Sequence, residues 1–339
     1  MQTAVHSIVA VGTLGGTITM TSQGHAAGVS STLGADDLVQ SIPGLAELPV
    51  QLRLKTIANL ASGSIQFEHL FQALAWAKQQ VEDGANGVVL VQGTDTLEES
   101  AFFLDMYWPY AAPLVLTGAM RSPKEAGADG PANLLAAIQV AMNPKMRNYG
   151  SVVVMSDEIH QARFVRKQHT MSVQAFASPV VGPLGHVQEG DVLLYRPANE
   201  RAVLPVPSQH KEKVLLLETV LDEAVEIYQV LPSLGYSGLV IAGVGSGHVS
   251  EKVRDALQPV LAIMPVMMAS RTGAGSTTKA VYGYKGAEID LQSLGVVMAD
   301  ALCPRKARLL LSAMLWSADG RRQYVEQALK KYLNTYKAY

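Results

Sequence analysis

Two stretches of this chain set hydroxyls beside groups able to activate them. In VQGTDTLEESAFFLD (91–105), Thr94 stands next to Asp95 where an apolar run gives way to a helical one. A hydroxyl and a carboxylate at a strand end, close to the free N–H groups of a helix start, suit the holding of an anion or the activation of an attacking oxygen. The T-x-x-E spacing of Thr96 and Glu99 also fits a capping box, so plain helix capping is the other role open to Asp95 and Thr96. In AVGTLGGTIT (10–19), an apolar run ends in three glycines set among three threonines. A glycine turn after a first strand most often cradles phosphate, and the dinucleotide fingerprint is G-x-G-x-x-G opening a helix. Here the order is G-x-x-G-G-T, and the polar segment that follows has no apolar helical repeat. The alternative is that Thr13 or Thr17 presents its hydroxyl at the carboxyl end of the strand, where open α/β sheets place their chemistry.

A third stretch, TGAMRSPKEAGADGPANLL (117–135), ends another strand in a glycine turn and puts Asp129 before a helix that opens at Pro131. The fourth, ARFVRKQHT (162–170), crowds Arg163, Arg166 and Lys167 together, and on composition alone such a cluster reads as a solvated face. The eight histidines show no H-x-H or H-E-x-x-H spacing, so no metal site is expected.

These residues need strands and turns to hold them. Short β-branched runs at 6–12, 86–93, 112–118 and 150–156 alternate with helical patterns such as TLEESAFFLDMYW and PANLLAAIQVAM, the rhythm of βαβ units around a parallel sheet. If the strands before the two threonine turns are neighbours, both turns face one crevice. Residues 196–213 are richer in proline and charge and lack any period, and the linker is placed within them at 201–212. The rhythm then resumes with VLLLETV, SGLVIAG, MPVMMAS and LGVVMAD, with helices at about 250–262 and 304–317 and a last one over RRQYVEQALKKYLNTYK. The pattern predicts a two-domain α/β protein. A doubly wound, mainly parallel, flavodoxin-like sheet occupies 1–200, and a smaller α/β domain occupies 213–339.

Composition bounds the rest. A chain of 339 residues, 48% hydrophobic and 17% charged, has the material for two cores. The net charge of −2 argues against a nucleic acid or an anionic membrane as partner. Cys303 is the single cysteine, which excludes an intrachain disulfide and reads as a small reduced residue in or near a core. No apolar stretch approaches the ~18 residues of a membrane-spanning helix, and the first strand begins close to Met1 without a basic signal region, so cytoplasmic residence is the expectation.

Taken together, TLGGTI, VQGTDTLEESAFFLD, TGAMRSP with ADGPANLL, GPLG, GVGSGH, SRTGAG and PRKARLLL resemble, in order and over nearly the whole chain, the bacterial-type L-asparaginases and glutaminase-asparaginases. The resemblance implies an amidohydrolase that splits the side-chain amide of asparagine into aspartate and ammonia without metal or cofactor. It implies a homodimer or homotetramer, with each site between the first domain of one subunit and the second domain of another. Thr17 matches the family's acylating threonine, and Thr94, Asp95 and Lys167 match its second group of hydroxyl, carboxylate and ammonium. We read Lys167 and Asp95 as a relay that polarises Thr94 or a water bound to it. Asp95 also matches the residue that pairs with the substrate's α-ammonium, and ASGSIQFEHL aligned without a gap makes Ser62 the grip on the α-carboxylate. Gly63 then stands where many relatives carry glutamine. The carbonyl of Ala119 would hold the leaving amide, and the N–H groups of Gly16 and Asp95 would face substrate oxygens.

The departures from the family pattern lie in its loops. The segment after the first motif usually carries a tyrosine that activates the acylating threonine, and residues 18–35 contain none. His25 is the nearest substitute, as a general base or as an exposed loop residue. The glutamate that a partner often contributes has no clear counterpart either: STTKAVYGY offers Tyr282 and Tyr284, while His248 stands where some relatives place asparagine. Preference for glutamine or another amide, and a non-catalytic amino-acid sensor, are the alternative functions. A nucleotide-binding oxidoreductase is the reading that the opening glycines alone would raise.

Overall fold

A computed structural model describes residues 7–16, 20–21, 30–31, 36, 42–318 and 321–336. The chain divides into two units, Met1–Asn199 and Glu200–Tyr339.

In the first unit, five parallel strands run through the middle of the fold: β1 (Ser7–Thr13), β2 (Val50–Thr56), β3 (Gly87–Val91), β4 (Leu114–Thr117) and β5 (Ser151–Met155). They lie side by side in the order β2-β1-β3-β4-β5, the flavodoxin-like arrangement whose reversal point lies between the first and third strands. Beyond β5 the sheet continues antiparallel through β6 (Glu158–Gln161), β7 (Gly185–Gln188) and β8 (Asp191–Leu194).

The strands form where they do because GVVLV, LVLT and SVVVM are apolar but for Thr117 and Ser151 and every residue in them is buried, as a strand covered on both faces requires. Helix α1 (Phe67–Glu82), helix α2 (Leu97–Met106) and helix α3 (Gly130–Met142) supply the covers. Leu134, Ala137, Ile138 and Ala141 of α3 pack on Val9, Val11, Val89, Val91 and Val115. Gly12, of opposite parity to Val9 and Val11, abuts Trp76 of α1 on the other face. There Phe67 and Phe71 of α1 meet Phe103 of α2 with ring centroids 5.3 and 5.0 Å apart.

No helix or strand interrupts the chain between Leu194 and Val214. The second unit carries a parallel four-stranded sheet in chain order, β9 (Val214–Glu218), β10 (Gly238–Gly243), β11 (Val266–Ser270) and β12 (Val297–Met298). Its helices are α4 (Glu226–Val230), α5 (Glu251–Ile263), α6 (Glu288–Ser293), α7 (Pro304–Ser317) and α8 (Arg322–Thr335). Ser250 caps α5 by accepting from the Val253 N–H, and Pro304 opens α7, where a missing N–H costs nothing. Cys303 is buried just before α7.

Candidate active site

The turns after β1 and β3 are adjacent. Leu14 N–H donates to the Val91 carbonyl at 2.8 Å, and the Leu60 N–H donates to the Leu14 carbonyl at 2.9 Å, which ties both turns to the segment before α1. Gly16 has φ +99°, and a Cβ there would lie 2.1 Å from the Gly93 nitrogen, so only glycine permits this approach. Thr17 and His25 lie outside the described residues.

The turn after β3 is a 3₁₀ turn over Thr94–Thr96 that leads directly into α2. Lys167 Nζ donates to Thr94 Oγ1 at 2.9 Å and to Asp95 Oδ1 at 2.6 Å, while Ser62 Oγ donates to Asp95 Oδ2 at 3.4 Å. Thr94 and Ser62 are buried, whereas 75% of the Asp95 side chain is exposed. The Lys167 hydrogen bond holds the Asp95 carboxyl below its ordinary range; burial works against this, and the lysine charge and the Ser62 hydroxyl support it. Thr94 Oγ1 therefore sits between buried surroundings and a cation, the placement that stabilises negative charge developing on that oxygen.

Two simpler sequence readings give way here. Thr96 makes no side-chain cap, because its hydroxyl is spent on the Ser62 carbonyl at 3.0 Å; the capping box is replaced by a tie between two turns. The basic cluster is not a solvated face. Arg163 is buried, and only 16% of the Lys167 side chain is exposed. Lys167 pairs with Phe176 in a short antiparallel ladder that aims it inward. Its backbone N–H donates to Glu98, a carboxylate buried within α2. Glu98 escaped the sequence reading; the signal available was a charged residue in a helix of which every residue but Glu99 is buried.

The turn after β4 completes this end of the sheet. A Cβ at Gly118 would lie 2.5 Å from the Gln92 carbonyl oxygen and 3.3 Å from Thr94 Cγ2. Asn133 Nδ2 donates to the Gly118 carbonyl at 3.0 Å, and the Asp129 carboxylate accepts from the N–H groups of Met120 and Arg121. This holds the buried Ala119 in a fixed turn next to Thr94. Gly63 is an exposed residue of the 3₁₀ turn Ser62–Ser64, with open space where a Cβ would stand. Gly16, Ser62, Thr94, Asp95, Ala119 and Lys167 thus come together at one end of the sheet, and Gly63 borders them.

His248 belongs to the second unit, in the loop after β10. Its Nε2 lies 3.0 Å from Glu288 Oε2 and its Nδ1 2.9 Å from the Tyr284 hydroxyl. Glu288 has no signature in the sequence, 40 positions beyond its partner. Among the described residues no group of three or more His, Cys, Asp or Glu is arranged to hold a metal, and no helix is long and apolar enough to cross a membrane.

Comparison with known proteins follows the same division of the chain. Residues 8–200 match the family model described as Asparaginase, N-terminal, and residues 213–328 match the Glutaminase/Asparaginase C-terminal domain. A probable L-asparaginase of Deinococcus radiodurans is 37% identical over 289 residues, covering 81% of this chain and 84% of the relative. A probable periplasmic L-asparaginase of Haemophilus influenzae is 33% identical, covering 89% of this chain and 86% of the relative. The crystal structure of a probable cytoplasmic L-asparaginase from Campylobacter jejuni superposes with a TM-score of 0.83 at 30% identity, covering 97% of this chain and 100% of that one. With both family models matched in order and relatives aligned over most of its length, the chain belongs to the asparaginase family.

Proposed function

We propose that this protein is an L-asparaginase that hydrolyses the side-chain amide of asparagine to aspartate and ammonia through a threonine ester. The observation that carries the reading is the Lys167 ammonium bridging Thr94 Oγ1 and Asp95 Oδ1 at the carboxyl end of β3, beside the Gly15–Gly16 turn. Thr17 is the acylating residue. Its oxygen bonds to the amide carbon, the oxyanion faces the N–H groups of Gly16 and Asp95, and the C–N bond breaks as the nitrogen takes a proton and leaves as ammonia. Water activated at Thr94, which Lys167 and Asp95 polarise, then releases aspartate and frees Thr17. Ser62 and Asp95 hold the substrate's α-carboxylate and α-ammonium, and the Ala119 carbonyl receives the amide nitrogen.

The assembly is a homodimer or homotetramer, with residues such as His248 contributed by a neighbouring copy. Residence is cytoplasmic, supported by the name of the Campylobacter neighbour, against the periplasmic name of the Haemophilus relative. Ammonia release from asparagine, glutamine and a small panel of amides tests the function. Asparagine turnover that disappears in Thr94→Ala is the expected result. Turnover of another amide alone would assign a different substrate, and binding of amino acids without turnover would make the protein a sensor.

A further inference from the structure

The Thr96 hydroxyl takes no part in the proposed hydrolysis, yet it serves something other than its own helix. Thr96 stands at the N-cap position of α2, where a threonine ordinarily accepts a backbone N–H of the first helical turn, and here it makes no such cap. Its Oγ1 donates to the Ser62 carbonyl at 3.0 Å, 34 residues away in the chain. The helix start gives up a local stabilising contact for a tie to the turn that carries Ser62.

A third side chain decides the direction of that bond. Gln92 is fully buried just after β3, and its Nε2 lies 3.3 Å from the Gly93 carbonyl and 3.5 Å from Thr96 Oγ1. An amide nitrogen facing a carbonyl can only donate, so the Thr96 oxygen accepts from Gln92 and its own proton is left for Ser62.

Ser62 is held from other sides as well. Its carbonyl also accepts the Ile65 N–H at 3.2 Å, and a Cβ on Gly93 would lie 2.8 Å from Ser62 Oγ and 2.9 Å from Ser62 Cβ, so the serine rests against the Gly93 backbone. This fixes the direction of the buried hydroxyl that reaches Asp95 Oδ2 at 3.4 Å. Lys167 is held by other groups, through its bonds to Thr94, Asp95 and Glu98. The grip on the substrate and the activating charge therefore have separate supports.

We propose that Thr96 is a positioning residue for substrate binding, which sets the Ser62 hydroxyl against the α-carboxylate of asparagine, with Gln92 orienting it from behind. The inference rests on the L-asparaginase reading and on the role that reading gives to Ser62. It divides the labour along one turn: Thr94 and Asp95 face the substrate, and Thr96 decides how tightly the α-carboxylate is held. The α-carboxylate takes no part in bond making or breaking, so its grip is equal in the ground and transition states. Loss of such a contact raises KM and leaves kcat unchanged.

The test is kcat and KM for asparagine, by ammonia release, in the full-length protein and in Thr96→Val and Thr96→Ser. Inhibition by aspartate and by β-alaninamide, which is asparagine without its α-carboxylate, is measured alongside. Thr96→Val keeps the shape of the side chain, while the Ser62 carbonyl keeps Ile65 and the Gln92 amide keeps Gly93, so the thermal transition should stay close to wild type. A hydrogen bond to a charged group contributes about tenfold or more to binding, and KM for asparagine and the inhibition constant of aspartate should both rise on that scale in Thr96→Val with kcat little changed. Thr96→Ser, which retains the hydroxyl, should recover most of the wild-type KM. Competition by β-alaninamide should be equal in wild type and Thr96→Val. An unchanged KM in Thr96→Val, a loss confined to kcat, no recovery in Thr96→Ser, or a matching loss for β-alaninamide would overturn the proposal while leaving the asparaginase reading standing. A wild-type protein that releases no ammonia from asparagine would overturn both.

Discussion

Lys167 and Thr94 are 73 residues apart in the chain, and a hydrogen bond of 2.9 Å joins the Nζ of one to the Oγ1 of the other. The same ammonium is paired with Asp95, and its backbone N–H is bonded to Glu98. The hydroxyl and the carboxylate are therefore held by one turn and the charge by a separate strand, and the lysine is oriented from both ends. A general-purpose surface cation has no such constraints.

Lys167→Met should lower kcat by at least about a hundredfold, the scale of losing a proton-transfer partner. Arg166→Met, one residue away and on the opposite side of the same short ladder, should be mild. Paired kinetics on the two variants check this; equal, small effects would return Lys167 to a structural role.

Thr17→Ala and Thr94→Ala should each reduce turnover by at least about a hundredfold, while the thermal transition of Thr94→Ala stays close to wild type because only a hydroxyl and a methyl are removed. Trapping with a slow amide substrate separates the two. An ester should accumulate in Thr94→Ala and never in Thr17→Ala. Full turnover in Thr17→Ala would remove it from the acylating role.

Gly16 and Gly63 should respond oppositely to alanine. At Gly16 the added Cβ meets the Gly93 backbone at 2.1 Å with φ +99°, and an L-residue forced into such a conformation costs on the order of 1–3 kcal/mol even before the clash is counted. Gly16→Ala should lower both the melting temperature and kcat, since any relief moves the Thr94 turn. Gly63→Ala enters open space and should be silent in both. Calorimetry with parallel assays decides the matter.

Discrimination between amides should follow from Gly63. Without side-chain donors at this position, fixing the substrate falls on Ser62 and Asp95. A pocket rejects one extra methylene by only about 1–3 kcal/mol on fit alone, but misplacement by an ångström can cost about a hundredfold. Asparagine should exceed glutamine by at least about tenfold in kcat/KM. Gly63→Gln folds normally and should alter that ratio. Comparable rates for the two amides in the wild type would end this argument.

Acid should unfasten the second unit through Asp290. Its carboxyl is held below the ordinary range chiefly by the Arg254 hydrogen bonds, against burial and with help from the Gly286 N–H. A depressed folded-state value contributes stability that is complete above the unfolded value near ~3.9 and is lost as pH falls through the folded one. Asp290→Asn should therefore cost about 1–3 kcal/mol at neutral pH, and the gap to wild type should close in that acid range. Thermal unfolding measured from neutral pH downward gives the answer; a gap that stays constant across pH would exclude this linkage.

The amino-acid sequence by itself determined the strands β1, β3, β4 and β5, because strands covered on both faces are near-continuous apolar runs and so announce themselves locally. It also determined that Thr94 and Asp95 share one turn, since neighbours in the chain cannot be separated by folding. It was nearly mute about β2 and the antiparallel β6–β8, where half-buried or short strands leave weak patterns. Only the tertiary structure decided that Lys167 faces Thr94, that Glu98 is buried beneath it, that Thr96 ties down Ser62 rather than capping α2, and that His248 stands between Glu288 and Tyr284. Such pairings depend on strand order and register, which place side chains together from opposite ends of a domain. A chain's local pattern records which residues are buried, but not which distant partner shares the site.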